Sequence, residues 1–356
     1  RRQRQMCIRD STITADGSAA LVKGDLIGLT KFGTISIANN AAINISTHNN
    51  NVAASGTVAV NASALTSALL TFDASEETDG AYNVTTAGSG DHVITLGAGD
   101  DTVTANTGAN NLTLGAGNDT VIIATASLTS TDTFNFGTGT DDVLKMLDAS
   151  TVIDADFTNI TNLDRITQNT ASHGMNLTLG TAATAAGLTK VTGGTGTNSV
   201  VIGSSYTGSL TVDLAAGTDT VNGSAQTSGS LIVTAAVASI TSADTITGGS
   251  ATDTLTITTD GDWQYLSSPL GEWIGGSSSN FTLLRDESSV SGYYTITLAQ
   301  NNAPVVSLSE EYALPWENTS YDFTAVIQDE PLSLHDCTWN ISGLNDNEGV
   351  LSHIHI

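Results

Sequence analysis

The sequence predicts an all-β chain whose main body is a parallel β-solenoid. Three observations point there. Thr and Val are abundant while the helix-favouring Lys, Glu, Gln and Arg are scarce. Hydrophobic residues make up 39% of the chain and alternate with polar ones in short runs, the signature of half-buried strands. A nine-residue period with glycine at fixed places runs through residues 87–122.

The first eleven residues, RRQRQMCIRDS, differ from all that follows, holding four of the ten basic residues and one of the two cysteines. They resemble translated sequencing-adaptor read-through at the ends of gene fragments assembled from environmental DNA, and the tail at 351–356 (LSHIHI) is similar. Both ends are therefore expected to be scars outside the fold. Without residues 1–11 the chain keeps 35 acidic and six basic residues, a charge of −29. The acidity belongs to the body of the protein.

Residues 12–86 read as an irregular β-repeat region. Stretches 35–37, 43–45 and 57–60 alternate apolar and polar, separated by Asn-rich turns at Asn39, Asn40 and 49–51. The acidic group Asp73, Glu76, Glu77 and Asp79 is open to two readings, a ligand cluster or a solvated turn.

Residues 87–122 are four nonapeptides in one frame, AGSGDHVIT, LGAGDDTVT, ANTGANNLT and LGAGNDTVI. The fourth position is always glycine, the eighth is Ile94, Val103, Leu112 and Val121, and the sixth is His92, Asp101, Asn110 and Asp119. Glycine at positions two and four permits a tight turn and close approach of backbone carbonyls. The eighth position then points inward from a short strand. With two nonapeptides per coil, Asp101 and Asp119 stack on one edge at roughly one interstrand spacing, ~4.8 Å. Two carboxylates that close repel by about 0.9 kcal/mol in water and by a few kcal/mol at lower effective dielectric. An oxygen-seeking cation removes the repulsion, and calcium is the usual match. Asp100 and Asn118 stand beside them in the fifth position. The other edge, with His92, Asn110, Asp91 and Ala109, is poorer in oxygen ligands.

This pattern resembles the G-G-x-G-x-D-x-U-x repeat of RTX, or haemolysin-type, calcium-binding proteins. The resemblance implies a β-roll over 87–147 that holds Ca2+ through Asp101 and Asp119. Asp100, Asn118 and the turn glycines Gly97, Gly99, Gly115 and Gly117 would assist. It extends to Asp91 and to Asp141, the latter in the looser copy FGTGTDDVL at 136–144. The chain departs from the family in its first position, which is Ala87, Leu96, Ala105 and Leu114 rather than glycine.

Residues 148–258 read as a degenerate continuation of the solenoid. The copy GGTGTNSVV at 193–201 carries Asn198 where Asp is expected, and Asp219 with Val221, Asp244 with Ile246 and Asp253 with Leu255 keep the carboxylate-to-strand spacing. From residue 259 the period stops, and Trp and Pro become frequent. Residues 259–300 resemble a small β module of long bacterial surface proteins. Residues 301–350, with Asn302, Ala303, Pro304, Glu317 and Asp329, resemble the start of a cadherin-like, immunoglobulin-type β-sandwich.

A net charge of −26 excludes nucleic acid and anionic membrane surfaces as partners. No apolar run approaches the roughly 20 residues of a bilayer-spanning helix, so no membrane insertion is expected. Cys337 stands alone outside the N-terminal stretch, so no disulfide framework is expected. There is no H-E-x-x-H, G-x-S-x-G or phosphate-binding loop. Between Lys31 and Lys145 there is no Lys or Arg to line a groove for an anionic polymer. The expected function is therefore non-enzymatic: a structural, calcium-binding region of a large secreted or cell-surface bacterial protein of adhesin, surface-layer or matrix type. Such a region would fold on calcium outside the cell, with surface or matrix polymers or further copies of itself as partners. The alternatives are the accessory repeat region of a secreted hydrolase, lyase or toxin, and a spacer that binds no metal.

Overall fold

The computed structural model describes residues 12–16, 20–236, 239 and 244–258, and the backbone of 280–286 and 295–297. The expected scars and the cadherin-like segment lie outside these residues, as does most of the 259–300 module.

The described chain winds into a parallel β-solenoid of about 11 turns. One sheet of 14 strands runs its length, from Thr12–Ala15 to Thr252–Thr258, Asn280–Asp286 and Thr295–Thr297. The opposite wall is built in two pieces. A six-stranded sheet runs from Ile43–Ser46 to Ile160–Thr161, and a five-stranded sheet runs from Ser150–Val152 to Thr245–Thr247. Every strand pairing is parallel except the last, where 280–286 meets 295–297. Among the described residues no helix is long and apolar enough to cross a membrane.

Alternation along each short strand sends one side chain inward per coil, and the register aligns these into columns. On the long sheet the column runs Ile35, Val60, Val84, Val103, Val121 and Leu144. It continues through Ile166, Val191, Val212, Val233 and Leu255. Facing it stand Ile45, Phe72, Ile94, Leu112, Phe134 and Ile160. All of these are buried in one continuous apolar cluster. Burying each is worth about 1.5–3 kcal/mol, so a coil is stable only with neighbours above and below. The tracts that differ in repeat quality thus share one core.

The structure also explains the missing first glycine of the repeat. Leu96, Ala105 and Leu114 point inward and are buried. The first position here fills the core.

The second wall changes sheets where a coil widens to admit the helix Thr181–Ala186. The residue at its N-cap, Gly180, has no side chain to cap it. Asp154, from the preceding coil, does so instead: Oδ1 accepts from the N–H of Gly180 (2.7 Å) and Ala183 (2.9 Å), and Oδ2 from Ala182 (3.1 Å).

Close stacking of turns sets the glycines. Gly115 has φ of 108°, and a Cβ there would run into the carbonyl oxygen of Gly97 in the coil before. Gly117 has φ of 129° and meets Gly99 in the same way. Gly24, in contrast, has open space around it. Gly115→Ala is expected to destabilise the solenoid by upward of about 2 kcal/mol, and Gly24→Ala to leave the melting temperature near that of the parent. Equal melting temperatures for the two variants in thermal unfolding would contradict this packing.

Candidate metal site

The inward sixth position of each turn forms a ladder between coils. Asp101 Oδ1 accepts a hydrogen bond from the N–H of Tyr82 (2.6 Å), Asp119 Oδ1 from Asp101 (2.8 Å), and Asp142 Oδ1 from Asp119 (2.8 Å). Asp164 Oδ2 completes it, accepting from the N–H of Asp142 (2.9 Å). Each carboxylate therefore reaches back one coil to a backbone donor. Asp101, Asp119 and Asp142 are all buried, at 1%, 0% and 1% exposure. The expectation that Asp101 and Asp119 stack one coil apart, 18 residues in sequence, is met.

The fifth position works in the opposite direction on the outside. Asp91 Oδ1 accepts from Ala109 N–H (2.8 Å), Asp100 Oδ1 from Asn118 N–H (2.8 Å), and Asn118 Oδ1 from Thr140 (3.0 Å) and Asp141 (3.2 Å). These side chains reach forward one coil. Inner and outer columns together stitch each turn to both neighbours.

One sequence assignment shifts. The copy at 136–144 contains an extra residue before its strand, so Leu144, not Val143, pairs with Val121. Asp142 accordingly enters the ladder. Asp141 faces out, where its two oxygens accept from Arg165 Nε (2.8 Å) and Nη2 (2.7 Å).

The ladder carboxylates differ in what their second oxygen finds. Asp253 is satisfied twice, by the N–H of Leu231 (2.8 Å) and of Gly249 (2.6 Å). Asp132, on the other edge, accepts from Asn110 N–H (2.9 Å) through Oδ1 and from Thr129 N–H (2.9 Å) through Oδ2. The Oδ2 atoms of Asp101, Asp119 and Asp219 are buried with no hydrogen-bond partner. Such an orphaned polar atom costs about 1–3 kcal/mol, more when charged.

The acidic group at 73–79 resolves into separate roles. Glu76 pairs with Lys23 at 2.7 Å, and Asp73 accepts from Ser75. Glu77 is buried, and its Oε1 accepts from the N–H of Thr78 (3.1 Å), Asp79 (3.1 Å) and Gly80 (2.9 Å). Its Oε2 is a further buried oxygen without a partner. Tyr82 occupies the ladder position in that coil, and Glu77 adds a buried carboxylate near it whose bonds come from its own turn rather than from the coil before. Nothing in the nonapeptide frame marks Glu77, because it enters from the second position rather than the sixth.

Burial dominates the electrostatics. It pushes the Asp101 carboxyl up to about 8, aided by the charges of Asp119, Glu77 and Asp100 and opposed by the Tyr82 N–H. It pushes Asp119 up to about 7, aided by Asp142 and Asp100 and opposed by the Asp101 N–H. On the other edge burial lowers the pKa of His92, whose Nδ1 accepts from Leu70 N–H (3.1 Å) as a neutral ring must. Among the described residues no three His, Cys, Asp or Glu side chains gather around one point. A cation at this edge would thus take most of its ligands from backbone carbonyls.

Because the folded pKa values of Asp101 and Asp119 lie above the usual carboxylate range, their protonated forms favour folding. That contribution is complete below about pH 4 and is lost as pH rises through about 7 and about 8. With a chelator present, stability is expected to fall by on the order of 2 kcal/mol between pH 6.5 and pH 8.5. Denaturant unfolding at both values measures it, and a stability that holds or rises with pH would contradict the assignment.

The chain matches no protein-family profile, no curated protein and no solved structure.

Proposed function

We propose that the Asp101–Asp119 edge binds calcium, and that the chain is a calcium-stabilised solenoid region of a large secreted or cell-surface bacterial protein. The observation that supports it most is the pair of buried, unpartnered oxygens on Asp101 and Asp119, one coil apart. Two such oxygens without a proton or a cation between them leave uncompensated charge in a low-dielectric place. A hard divalent cation suits a donor set made only of oxygen. Asp101 and Asp119 would hold it, with the carbonyls of Gly99 and Gly117 and, as a second contact beside the N–H of Ala116 and Thr138 that they already accept, those of Gly97 and Gly115. Asp100, Asn118 and Asp91 already accept backbone hydrogen bonds, and Asp141 is engaged by Arg165, so their part is secondary.

The cation's contribution is electrostatic: it neutralises the column where coils meet. The rest follows from this chain's own charge. At −26 the unfolded polypeptide repels itself, so scarce calcium shifts the balance toward the open chain and abundant calcium, as outside a cell, shifts it toward wound coils. Its work is then mechanical rather than catalytic. A stiff, acidic rod suits an adhesin, surface-layer or matrix component, with surface or matrix polymers or other copies of itself as neighbours.

Far-ultraviolet circular dichroism of the full chain tests the reading. The β signal is expected to strengthen, and the melting temperature to rise, on going from chelator to millimolar calcium. The double variant Asp101→Ala, Asp119→Ala is expected to lose most of that response. Identical spectra and melting curves in chelator and calcium would overturn the metal assignment.

A further inference from the structure

Two turns of this solenoid carry asparagine at the inward sixth position, and their geometry says what the amide does there. Asn198 Oδ1 accepts from Met175 N–H (3.1 Å), one coil back, as Asp101 and Asp119 do through their own Oδ1. It also accepts from Gly194 N–H (3.2 Å). Asn198 Nδ2 donates to the carbonyls of Gly194 (2.7 Å) and Gly196 (2.9 Å) and to Asp219 Oδ1 of the next coil (2.8 Å). Asn110 repeats the Nδ2 half of this on another edge, while its Oδ1 is buried with no hydrogen-bond partner. Its Nδ2 donates to the carbonyls of Gly108 (2.7 Å) and Asn106 (3.3 Å) and to Asp132 Oδ1 (3.2 Å). Both side chains are buried.

In each case an electropositive NH2 group sits among two turn carbonyls, four and two residues earlier, and the carboxylate of the following coil. That is an all-oxygen donor set. Asparagine and aspartate have the same shape, and Asn198 Nδ2 corresponds to Asp Oδ2. At Asp101 and Asp119 the same offsets fall on Gly97 with Gly99 and on Gly115 with Gly117, and there Oδ2 has no donor to meet.

We propose that Asn110 and Asn198 are built-in replacements for a divalent cation. The choice of Asn or Asp at the inward sixth position then decides, coil by coil, whether winding depends on calcium. This rests on the calcium reading of the Asp101–Asp119 edge for its second half only. The role of the amide stands on the contacts of Asn110 and Asn198 themselves. Coils that wind without the cation would give a folded segment onto which the cation-dependent coils add.

The test uses the full chain with Asn198→Asp, Asn198→Ala and Asp119→Asn, each melted at pH 8.5 in chelator and in millimolar calcium, with calcium binding followed by calorimetry. Asn198→Asp is expected to melt roughly 5 °C lower in chelator, to recover in calcium, and to bind one calcium more than the parent. Asn198→Ala should lose as much and recover nothing beyond the parent's own gain. Asp119→Asn is the reverse test and stays informative if Asn198→Asp fails to fold: it should melt higher than the parent in chelator and bind one calcium fewer. A parent stabilised by calcium beside an Asn198→Asp chain that calcium does not rescue would overturn the amide proposal and leave the Asp101–Asp119 reading standing. A parent indifferent to calcium beside an Asn198→Asp chain that gains calcium dependence would support the amide role and sink that reading. Asp119→Asn melting below the parent in chelator would also overturn the proposal.

Discussion

Along the solenoid, turn after turn hands a buried backbone N–H to the coil that follows, and a side-chain acceptor at the inward sixth position, most often an oxygen, receives it. Where two strands pair in parallel, the backbone satisfies itself; at the corner before each strand it does not. Asp101 for Tyr82, Asp119 for Asp101 and Asp142 for Asp119 meet that need along one edge. Asn198 for Met175, Asp219 for Asn198 and Asp244 for Asp219 meet it along another. His92 does the same for Leu70 through a ring nitrogen. The requirement is for an acceptor of short reach, which is why Asp and Asn dominate the column. A carboxylate brings a second oxygen that the ladder itself does not use, and at Asp101, Asp119 and Asp219 that atom is buried without a partner.

The column would be a poor design without the rest of the coil. Aliphatic side chains stacked through the long sheet make each coil depend on its neighbours, and the glycine turns let carbonyls approach the next coil closely. Outer side chains reach forward while inner ones reach back, so a turn is fixed from both sides. These interactions are local to adjacent coils and add along the rod. A change of charge state at one step therefore acts first on its two neighbours. Asp253 and Asp132 find backbone donors for both oxygens, whereas Asp101 and Asp119 do not, and this separates carboxylates that serve the turn from those that leave a demand unmet.

Much of this was legible in the sequence, and the limits have physical causes. The alternation and the nine-residue frame identified a parallel solenoid, the inward eighth position and the stacking of Asp101 on Asp119. They failed at Asp142, because one added residue in a turn moves the inward position without altering the look of the motif. They also missed Leu96 and Leu114 as core residues, since the family pattern treats the first position as a turn glycine. Coils outside the nonapeptides are longer, as between Asn110 and Asp132 (22 residues) or Asp219 and Asp244 (25 residues). Turns absorb the extra residues while strands keep register, so the period fades in sequence where the fold persists. Glu77 stood out only as one of four acids between Asp73 and Asp79, and spacing did not separate it from its more exposed neighbours, since only the next coil reveals that Tyr82 stands at the ladder register there. The contacts of the Asn198 amide depend on placing three turns together, which spacing alone does not do.

Whether a cation bridges the Asp101–Asp119 step is decided most directly by a crystal structure grown in calcium, with anomalous diffraction to identify the ion. The predicted result is a calcium peak with oxygen ligands at about 2.4 Å, drawn from Oδ2 of Asp101 or Asp119 and the glycine carbonyls of their turns, and no peak beside the Asn198 amide. An empty step at saturating calcium, with both carboxyl groups hydrogen-bonded as neutral acids, would contradict it.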